Sequence, residues 1–280
     1  MKVLVTGVKG QLGFDVVNEL NKRGHEAVGV DIEELDITKE QNVYQVIENI
    51  GPDGVIHCAA WTAVDAAEDK ENYNQVMAVN VNGTKYITKA CQNKDIPMIY
   101  ISTDYVFNGE GTTPWKPNDK REPLNVYGES KYQGERAVEE LLEKYYIVRI
   151  AWVFGQNGKN FVDTMLNLGK THSELTVVDD QVGTPTYTYD LARLLVDMIE
   201  TNKYGTYHVT NEGGFISWYD FAVEIMKQAS KIDDVYKNVK VLPVGSDAYP
   251  AKAKRPSNSR MDKSKLVENG FEYLPDWNDA

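Results

Sequence analysis

The sequence predicts an α/β protein built on a Rossmann-like, doubly wound parallel sheet with a smaller C-terminal α/β lobe. Three observations carry this. Strand-like runs alternate with helix-periodic runs through the first 150 residues. The strand runs are apolar throughout, as strands covered on both faces are. A glycine triplet, Gly7-Val8-Lys9-Gly10-Gln11-Leu12-Gly13, stands between the first strand and the first helix. Strands separated by helices pair in parallel through right-handed crossovers, which gives the doubly wound class.

The elements follow in order. Lys2–Thr6 is a short β-rich run, and Gln11–Arg23 carries Leu12, Val16, Val17 and Leu20 at helical spacing. Gly24 ends that helix, and Ala27–Val30 is a second strand stopped by Asp31. Lys39–Asn49 reads as a helix with Val43, Val46, Ile47 and Ile50 on one face, and Gly51-Pro52-Asp53 turns the chain into a strand at Gly54–Ala59. A helix over Val76–Gln92, a strand over Pro97–Ser102, a long helix over Tyr127–Lys144 and a strand over Tyr146–Ile150 complete the alternation. Beyond Ala151 the pattern loosens. Helices are expected at Phe161–Thr171, Tyr189–Thr201 and Trp218–Lys231, and strands at Gly205–Thr210 and Val239–Val244. Gly183–Thr188 reads as a polar link and Ser246–Arg260 as an irregular loop. Pro275 and Asp276 would suit a helix start, yet no helical run follows them. The expected division is residues 1–150 as a dinucleotide-binding domain, recruiting segments near 186–210, and 151–280 as a mainly substrate-binding lobe.

Composition narrows the class. Thirty Lys and Arg against 42 Asp and Glu give a net charge of −12 over 280 residues, so a duplex nucleic acid would be repelled. No apolar run of about 18 residues is present to cross a membrane. The chain enters its first strand without a secretory signal pattern, so a cytoplasmic location is expected. Two cysteines, Cys58 and Cys91, are too few for a disulfide framework, and no His or Cys spacing suggests a metal site.

The glycine pattern G-x-x-G-x-x-G suits a dinucleotide. Gly7 permits the turn, Gly10 lets a pyrophosphate approach the backbone, and Gly13 lets the helix pack closely; the helix N-terminus at Gln11 and Leu12 would hold the anion. The triplet alone is equally an ordinary turn. Asp31 at the end of the second strand strengthens the cofactor reading, because a carboxylate there accepts ribose hydroxyls and repels a 2′-phosphate. Glu33 and Glu34 add negative charge and no arginine is near, so NADH is favoured, with NADPH left open. Asp36 and Ile37 are expected at the adenine edge, and Ala59 and Ala60 at the end of the third strand. Tyr127 and Lys131 stand at i and i+4 on one helix face. That spacing is common as a surface pair; after Ser102-Thr103 at a strand end it reads as chemistry.

These motifs resemble the extended short-chain dehydrogenase/reductase family. Ala60-Trp61-Thr62-Ala63-Val64-Asp65, Ser102-Thr103-Asp104-Tyr105-Val106-Phe107, Pro123-Leu124-Asn125-Val126-Tyr127-Gly128, Asp180-Gln181-Val182-Gly183-Thr184-Pro185-Thr186 and Ala253-Lys254-Arg255-Pro256-Ser257-Asn258-Ser259 resemble its dTDP-4-dehydrorhamnose reductases. The resemblance implies reduction of the 4-keto group of dTDP-6-deoxy-L-lyxo-4-hexulose to dTDP-L-rhamnose, for cell-surface polysaccharide. Tyr127 would donate the proton, with its pKa lowered by Lys131. Lys131 would also hold the nicotinamide ribose, and Thr103 would orient the keto oxygen. Thr62, Val64, Asp104, Tyr105 and Trp152 are carried over as substrate-pocket residues, although Trp152 also suits a core. Arg255 is the expected diphosphate clamp, with Asn258 and Ser259 as polar neighbours and Lys254 and Arg260 as helpers; a solvated basic loop is the alternative. Asn80 would support the site or simply pack. Some members form metal-bridged dimers through acidic residues, but Tyr189 stands where one such carboxylate would be. No metal and a monomer or weak homodimer are therefore expected. Two other functions share the pattern. One is a nucleotide-sugar 4-epimerase or 4,6-dehydratase, and dehydration is disfavoured because Tyr105, not a glutamate, follows Asp104. The other is a non-catalytic, dinucleotide-binding regulatory subunit.

Overall fold

In a computed structural model describing all 280 residues, the central sheet is built from six parallel strands. They are β1 (Lys2–Thr6), β2 (Glu26–Val30), β3 (Gly54–His57), β4 (Met98–Thr103), β5 (Tyr145–Ile150) and Gly205–His208. Their order across the sheet is Gly205–His208, β5, β4, β3, β1, β2. The chain leaves β1 for β2 on one flank and returns to β3 on the other. Crossovers therefore diverge at the C-terminal ends of β1 and β3, where open α/β sheets form a ligand crevice.

Both faces of this sheet are covered, which is why its strands are apolar at successive positions. Val3, Val5, Ile56, Ile99 and Val148 point to one face and meet Val16 and Leu20 of the helix Gln11–Lys22 (α1) together with Leu191 and Leu195. Leu4, Val55, Met98, Tyr100 and Ile147 point to the other and meet Val43 and Ile47 of the helix Glu40–Ile50 (α2), with Ile87 and Val138. Each such side chain contributes about 1.5–3 kcal/mol on leaving water. The first core also takes in Leu194, Ile199, Tyr207, Val209, Leu266 and Phe271. The helix Thr188–Ile199 lies on α1, and Gly205–His208 pairs with β5, so the chain comes back to the sheet after residue 188.

The long helix expected over Val76–Gln92 runs through three segments, Tyr73–Met77, Ala78–Gly83 and Thr84–Lys94, the middle one a π-helical stretch. Such widened turns inside helices gather at functional sites. Here it carries Asn80, whose Oδ1 accepts from Trp61 N–H at 2.8 Å and whose Nδ2 donates to Trp61 C=O at 3.1 Å and Ser130 Oγ at 2.9 Å. Asn80 is thus buried and joins the loop after β3 to the helix that bears Tyr127.

In the C-terminal part, Lys240–Val244 pairs in parallel with Glu174–Val178, a strand absent from the sequence reading. Its pattern was present: Leu175 and Val177 are buried and alternate with exposed Glu174 and Thr176. The expected link over Gly183–Thr188 contains two brief pairings, Val182–Gly183 with Ile216–Ser217 and Thr186–Tyr187 with Val153–Phe154. Trp218–Ile232 and Phe161–Gly169 cover this lobe, burying Phe154, Met165, Leu175, Phe221, Met226 and Trp277 together. Trp218–Ile232 starts at a reciprocal cap: Ser217 Oγ accepts from Asp220 N–H at 3.0 Å, and Asp220 accepts from Ser217 N–H at 2.9 Å. After Pro275 the chain makes no helix, because Trp277 N–H donates to Glu212 C=O at 3.0 Å and its ring enters the core. No helix is long and apolar enough to cross a membrane.

Candidate active site

A cleft of about 1130 Å³ opens at the C-terminal ends of β1, β3, β4 and β5. Gly7, Gly10, Gln11, Leu12 and Gly13 line one end of it. A Cβ on Gly13 would stand 2.3 Å from Gly7 C=O, so only glycine lets α1 begin this close to the turn. Gly10 N–H closes the turn onto Gly7 C=O at 3.1 Å, and within α1 the first backbone N–H bonded back along the chain is that of Phe14, to Gly10 C=O at 3.2 Å. No side chain caps α1 and no acidic residue lies in its first turn. The free N–H groups and positive helix end fit a diphosphate.

Asp31 and Asp36 line the same end with Ile37. Asp31 Oδ2 accepts from Lys9 N–H at 3.0 Å, and Lys9 Nζ pairs with Glu33 at 2.6 Å. An ammonium thus stands at the corner where the sequence, searched for arginine, offered only negative charge. Its signal lay inside the glycine motif itself, at the position before Gly10. Asp36 accepts from Thr38 N–H at 3.0 Å and Thr38 Oγ1 at 2.6 Å, so its carboxylate holds its own turn and stays below the usual range. Ala59 and Ala60 form the wall after β3, where Ala59 N–H donates to Thr6 Oγ1 at 3.1 Å.

Thr103, Tyr127 and Lys131 meet midway along the cleft. Thr103 ends β4, and the other two come from the helix Val126–Leu141. That helix is capped by Asn125, whose Oδ1 accepts from Gly128 N–H at 2.8 Å, placing Tyr127 in the first turn. A Cβ on Gly128 would lie 2.3 Å from Tyr105 C=O, so glycine permits the helix to press on the end of β4. Lys131 is buried beneath Tyr127, with Nζ 4.2 Å from the Tyr100 ring centroid. Burial pulls its ammonium down to about 7, opposed by the negative charge of Glu135. The Tyr127 phenol moves the other way. Burial raises it, Thr103 hydrogen bonding lowers it, and the Asp104 carboxylate raises it again. The expected depression by Lys131 is not found: the groups acting on the phenol are Thr103 and Asp104, and burial disfavours charge on Tyr127 and Lys131 alike. The phenol keeps its proton, as a proton donor requires. His57 beside Lys131 is pulled down to about 3 by burial and then by the ammonium, so it is neutral, bonded to Thr6 Oγ1 at 2.8 Å.

The remaining expected residues divide. Thr62, Val64, Tyr105, Trp152 and Arg255 line the outer part of the cleft. Trp152 has φ of 51°, a strained value for a residue with a side chain, and stacks on Trp218 at 3.9 Å. Trp218 and Phe161 join it in the wall. No local spacing marks either one, since an aromatic at a helix start is ordinarily core. Arg255 donates to both oxygens of Asp65, at 3.1 and 2.7 Å, which closes the irregular loop over the helix Val64–Ala67. Asp104 reaches the cleft wall, but its two oxygens are engaged by Thr103 and Ser259.

Asn258 and Ser259 are not in the cleft. Asn258 is buried, with Nδ2 donating to Thr113 C=O at 2.9 Å and Oδ1 accepting from Arg260 at 3.0 Å. Its hydrogen-bonding capacity is used in holding the 109–115 loop, so it has none for a phosphate. Ser259 is buried against Asp104. Lys254 is exposed outside the cleft and Arg260 turns to Phe215. Of the basic segment, only Arg255 faces the cavity.

The chain is similar to known proteins over its full length. The profile of the RmlD substrate binding domain matches residues 1–280. A dTDP-4-dehydrorhamnose reductase of Aggregatibacter actinomycetemcomitans is 40% identical over 288 residues, covering 100% of this chain and 96% of its own. The crystal structure of a dTDP-4-dehydrorhamnose reductase from Clostridium acetobutylicum superposes with a TM-score of 0.94 at 42% identity, covering 100% of this chain and 96% of its own. A dTDP-4-dehydrorhamnose reductase from Bacillus anthracis, in complex with NADP, gives 0.92 at 41% identity over 99% of this chain and 96% of its own.

Proposed function

The chain belongs to the RmlD substrate binding domain family, and from that premise we propose that it is an NAD(P)H-dependent oxidoreductase acting in dTDP-rhamnose biosynthesis. It reduces the 4-keto group of dTDP-4-dehydro-L-rhamnose (dTDP-6-deoxy-L-lyxo-4-hexulose) to the alcohol of dTDP-L-rhamnose. The observation that carries the reading is the meeting of Thr103, Tyr127 and Lys131 in the cleft that also holds the uncapped start of α1.

The cleft would hold a reduced nicotinamide, whose chemistry when bound would be hydride donation to C4 of the sugar. The protein's part is the proton. Tyr127 carries it on a phenol that burial keeps protonated, and gives it to the oxygen that was the ketone. Lys131, charged for part of the time near neutrality, stabilises the phenolate left behind and reaches the ribose hydroxyls of the cofactor. Gln11, Leu12 and Gly13 would hold the cofactor diphosphate through backbone N–H groups, and Asp31 would accept from the adenosine ribose. Asp31 favours NADH there, whereas Lys9 beside it offers a 2′-phosphate a cation. Both cofactors are therefore admitted. Thr62, Val64, Tyr105 and Trp152, which line the outer part of the cleft, would contact the sugar nucleotide, and Arg255 would clamp its diphosphate.

The direct test is one assay of the 4-keto sugar nucleotide with NADH and with NADPH, the product identified by NMR. The expected product is the L-rhamnose nucleotide. Equilibration of 4-epimers with retained NAD would identify an epimerase instead. No cofactor oxidation, despite cofactor binding, would identify a regulatory subunit. Replacing Arg255 with alanine is expected to raise KM for the sugar nucleotide about 10–100-fold with a smaller change in kcat, since charge-assisted hydrogen bonds contribute about 1.5–3 kcal/mol. A change confined to cofactor affinity would remove Arg255 from the substrate site.

A further inference from the structure

Asp104 is a buried carboxylate beside Thr103 in the cleft wall that the proton transfer above does not use. Thr103 Oγ1 donates to its Oδ1 at 3.0 Å, and Ser259 Oγ donates to its Oδ2 at 2.5 Å. Thr103, Asp104 and Ser259 are all buried. Ser259 is itself fixed, for its N–H donates to Val182 C=O at 2.8 Å. A Cβ on Gly183 would meet its side chain at 2.9 Å. The bond thus ties the C-terminal segment to the end of β4 across 155 positions.

Thr103 has one proton and two acceptors beside it, the Asp104 carboxylate and the Tyr127 oxygen. An ionised carboxylate accepts more strongly than a neutral phenol. The remaining capacity of Thr103 is as an acceptor, and it takes Tyr105 N–H at 3.2 Å. We infer that Asp104 is a positioning residue. Anchored by Ser259, it competes for the Thr103 proton and so weakens the hydrogen bond from Thr103 that would stabilise a phenolate on Tyr127. The proton therefore stays on Tyr127 until the keto oxygen receives it. Burial lifts Asp104 to about 6, and the Ser259 and Thr103 bonds pull against that rise, so it is ionised above that value. The other charged or titratable groups around it are Tyr105 on its own turn, Tyr127 on the helix above, and Arg255 with Asp65 beyond Tyr105.

The test reads the Tyr127 phenol directly, by ultraviolet difference absorbance against Tyr127→Phe, in the protein alone and with oxidised cofactor. Asp104→Asn is expected to lower the phenol midpoint by about one pH unit, the equivalent of one hydrogen bond. The basic limb of kcat should move down with it. In a Thr103→Val background the shift should fall to about half or less, because the bond that Asp104 controls is gone. Ser259→Ala should move the midpoint in the same direction by less, and it decides the matter alone if Asp104→Asn does not fold. Wild-type titration in Asp104→Asn or Ser259→Ala, or an undiminished shift in the Thr103→Val background, overturns the inference. It rests on Tyr127 as donor to a keto oxygen, yet the titration needs no sugar. If the substrate assignment is wrong, turnover is absent while the titration shifts remain.

Discussion

Tyr127→Phe is expected to lower kcat by about 10²–10⁴-fold, the range that a positioned general acid contributes. The ring is kept and the helix cap at Asn125 is untouched, so folding and cofactor affinity should hardly change. Steady-state kinetics with cofactor binding measured separately by fluorescence would show a fall in kcat at nearly constant Kd. The pH profile sharpens the expectation. Reduction needs Tyr127 protonated, and its phenol lies above the ordinary range, so the wild-type rate should not fall on the basic side through loss of this proton until well above neutrality. Lys131 lies at about 7 and loses charge as pH rises through that value. A gentle decline above neutrality that disappears in Lys131→Arg would report the ammonium. A near-normal kcat for Tyr127→Phe would remove the phenol from the mechanism.

Glu135→Gln is expected to have the largest effect on stability. Glu135 is fully buried two turns below Tyr127, and Arg149 donates to its two oxygens at 2.7 and 2.8 Å. Arg121 adds a third bond at 2.8 Å. Burial alone would raise the carboxyl, but the guanidinium groups hold it below its usual range. Arg149 is itself buried, with His208 at 3.1 Å, and that histidine is held neutral by burial first and by the guanidinium second. An amide leaves this arginine without its counter-charge. Removing one partner of a buried pair costs about 3–5 kcal/mol, which for a chain of this size is a fall in Tm of about 6–20 °C. Replacing Glu140, whose pair with Arg136 is exposed, should cost under about 0.5 kcal/mol and serves as the control. The sign of the pH dependence follows. Glu135 is depressed in the folded state, so its stabilisation is complete above about 4.3 and is lost as pH falls through the lower folded value. His57 and His208 are also depressed, so acid below about 6.5 favours the unfolded chain, which takes up their protons. Denaturant melts of the wild type should show stability falling from pH 6.5 downward, with the slope reduced in Glu135→Gln at the acid end.

The legible part of the molecule was whatever repeats over a few residues. Val3, Leu4 and Val5 announced a strand covered on both faces, and Leu12, Val16 and Leu20 announced a helix with one buried side. Gly7, Gly10 and Gly13 marked the turn, and Tyr127 with Lys131 shared a helix face. The half-buried strand Glu174–Val178 was readable from its alternation but is short and polar on its outer side. The π stretch at Ala78–Gly83 was not readable, because its side chains keep nearly the spacing of an α-helix.

Sequence alone therefore determined the sheet class, the glycine turn and three side chains, Thr103, Tyr127 and Lys131, that line one cleft. All depend on side chains within one or two turns of each other, or on strand ends that a parallel sheet must bring to one edge. The tertiary structure decided that Arg255 faces the cleft while Asn258 and Ser259 do not, although they are three and four residues away. It also decided that Ser259 meets Asp104, that Arg149 neutralises Glu135 and that Trp218 backs Trp152. In an irregular loop no period fixes which side chain turns inward. That direction is set by whichever distant buried charge or carbonyl would otherwise be left without a partner, and no local spacing encodes it.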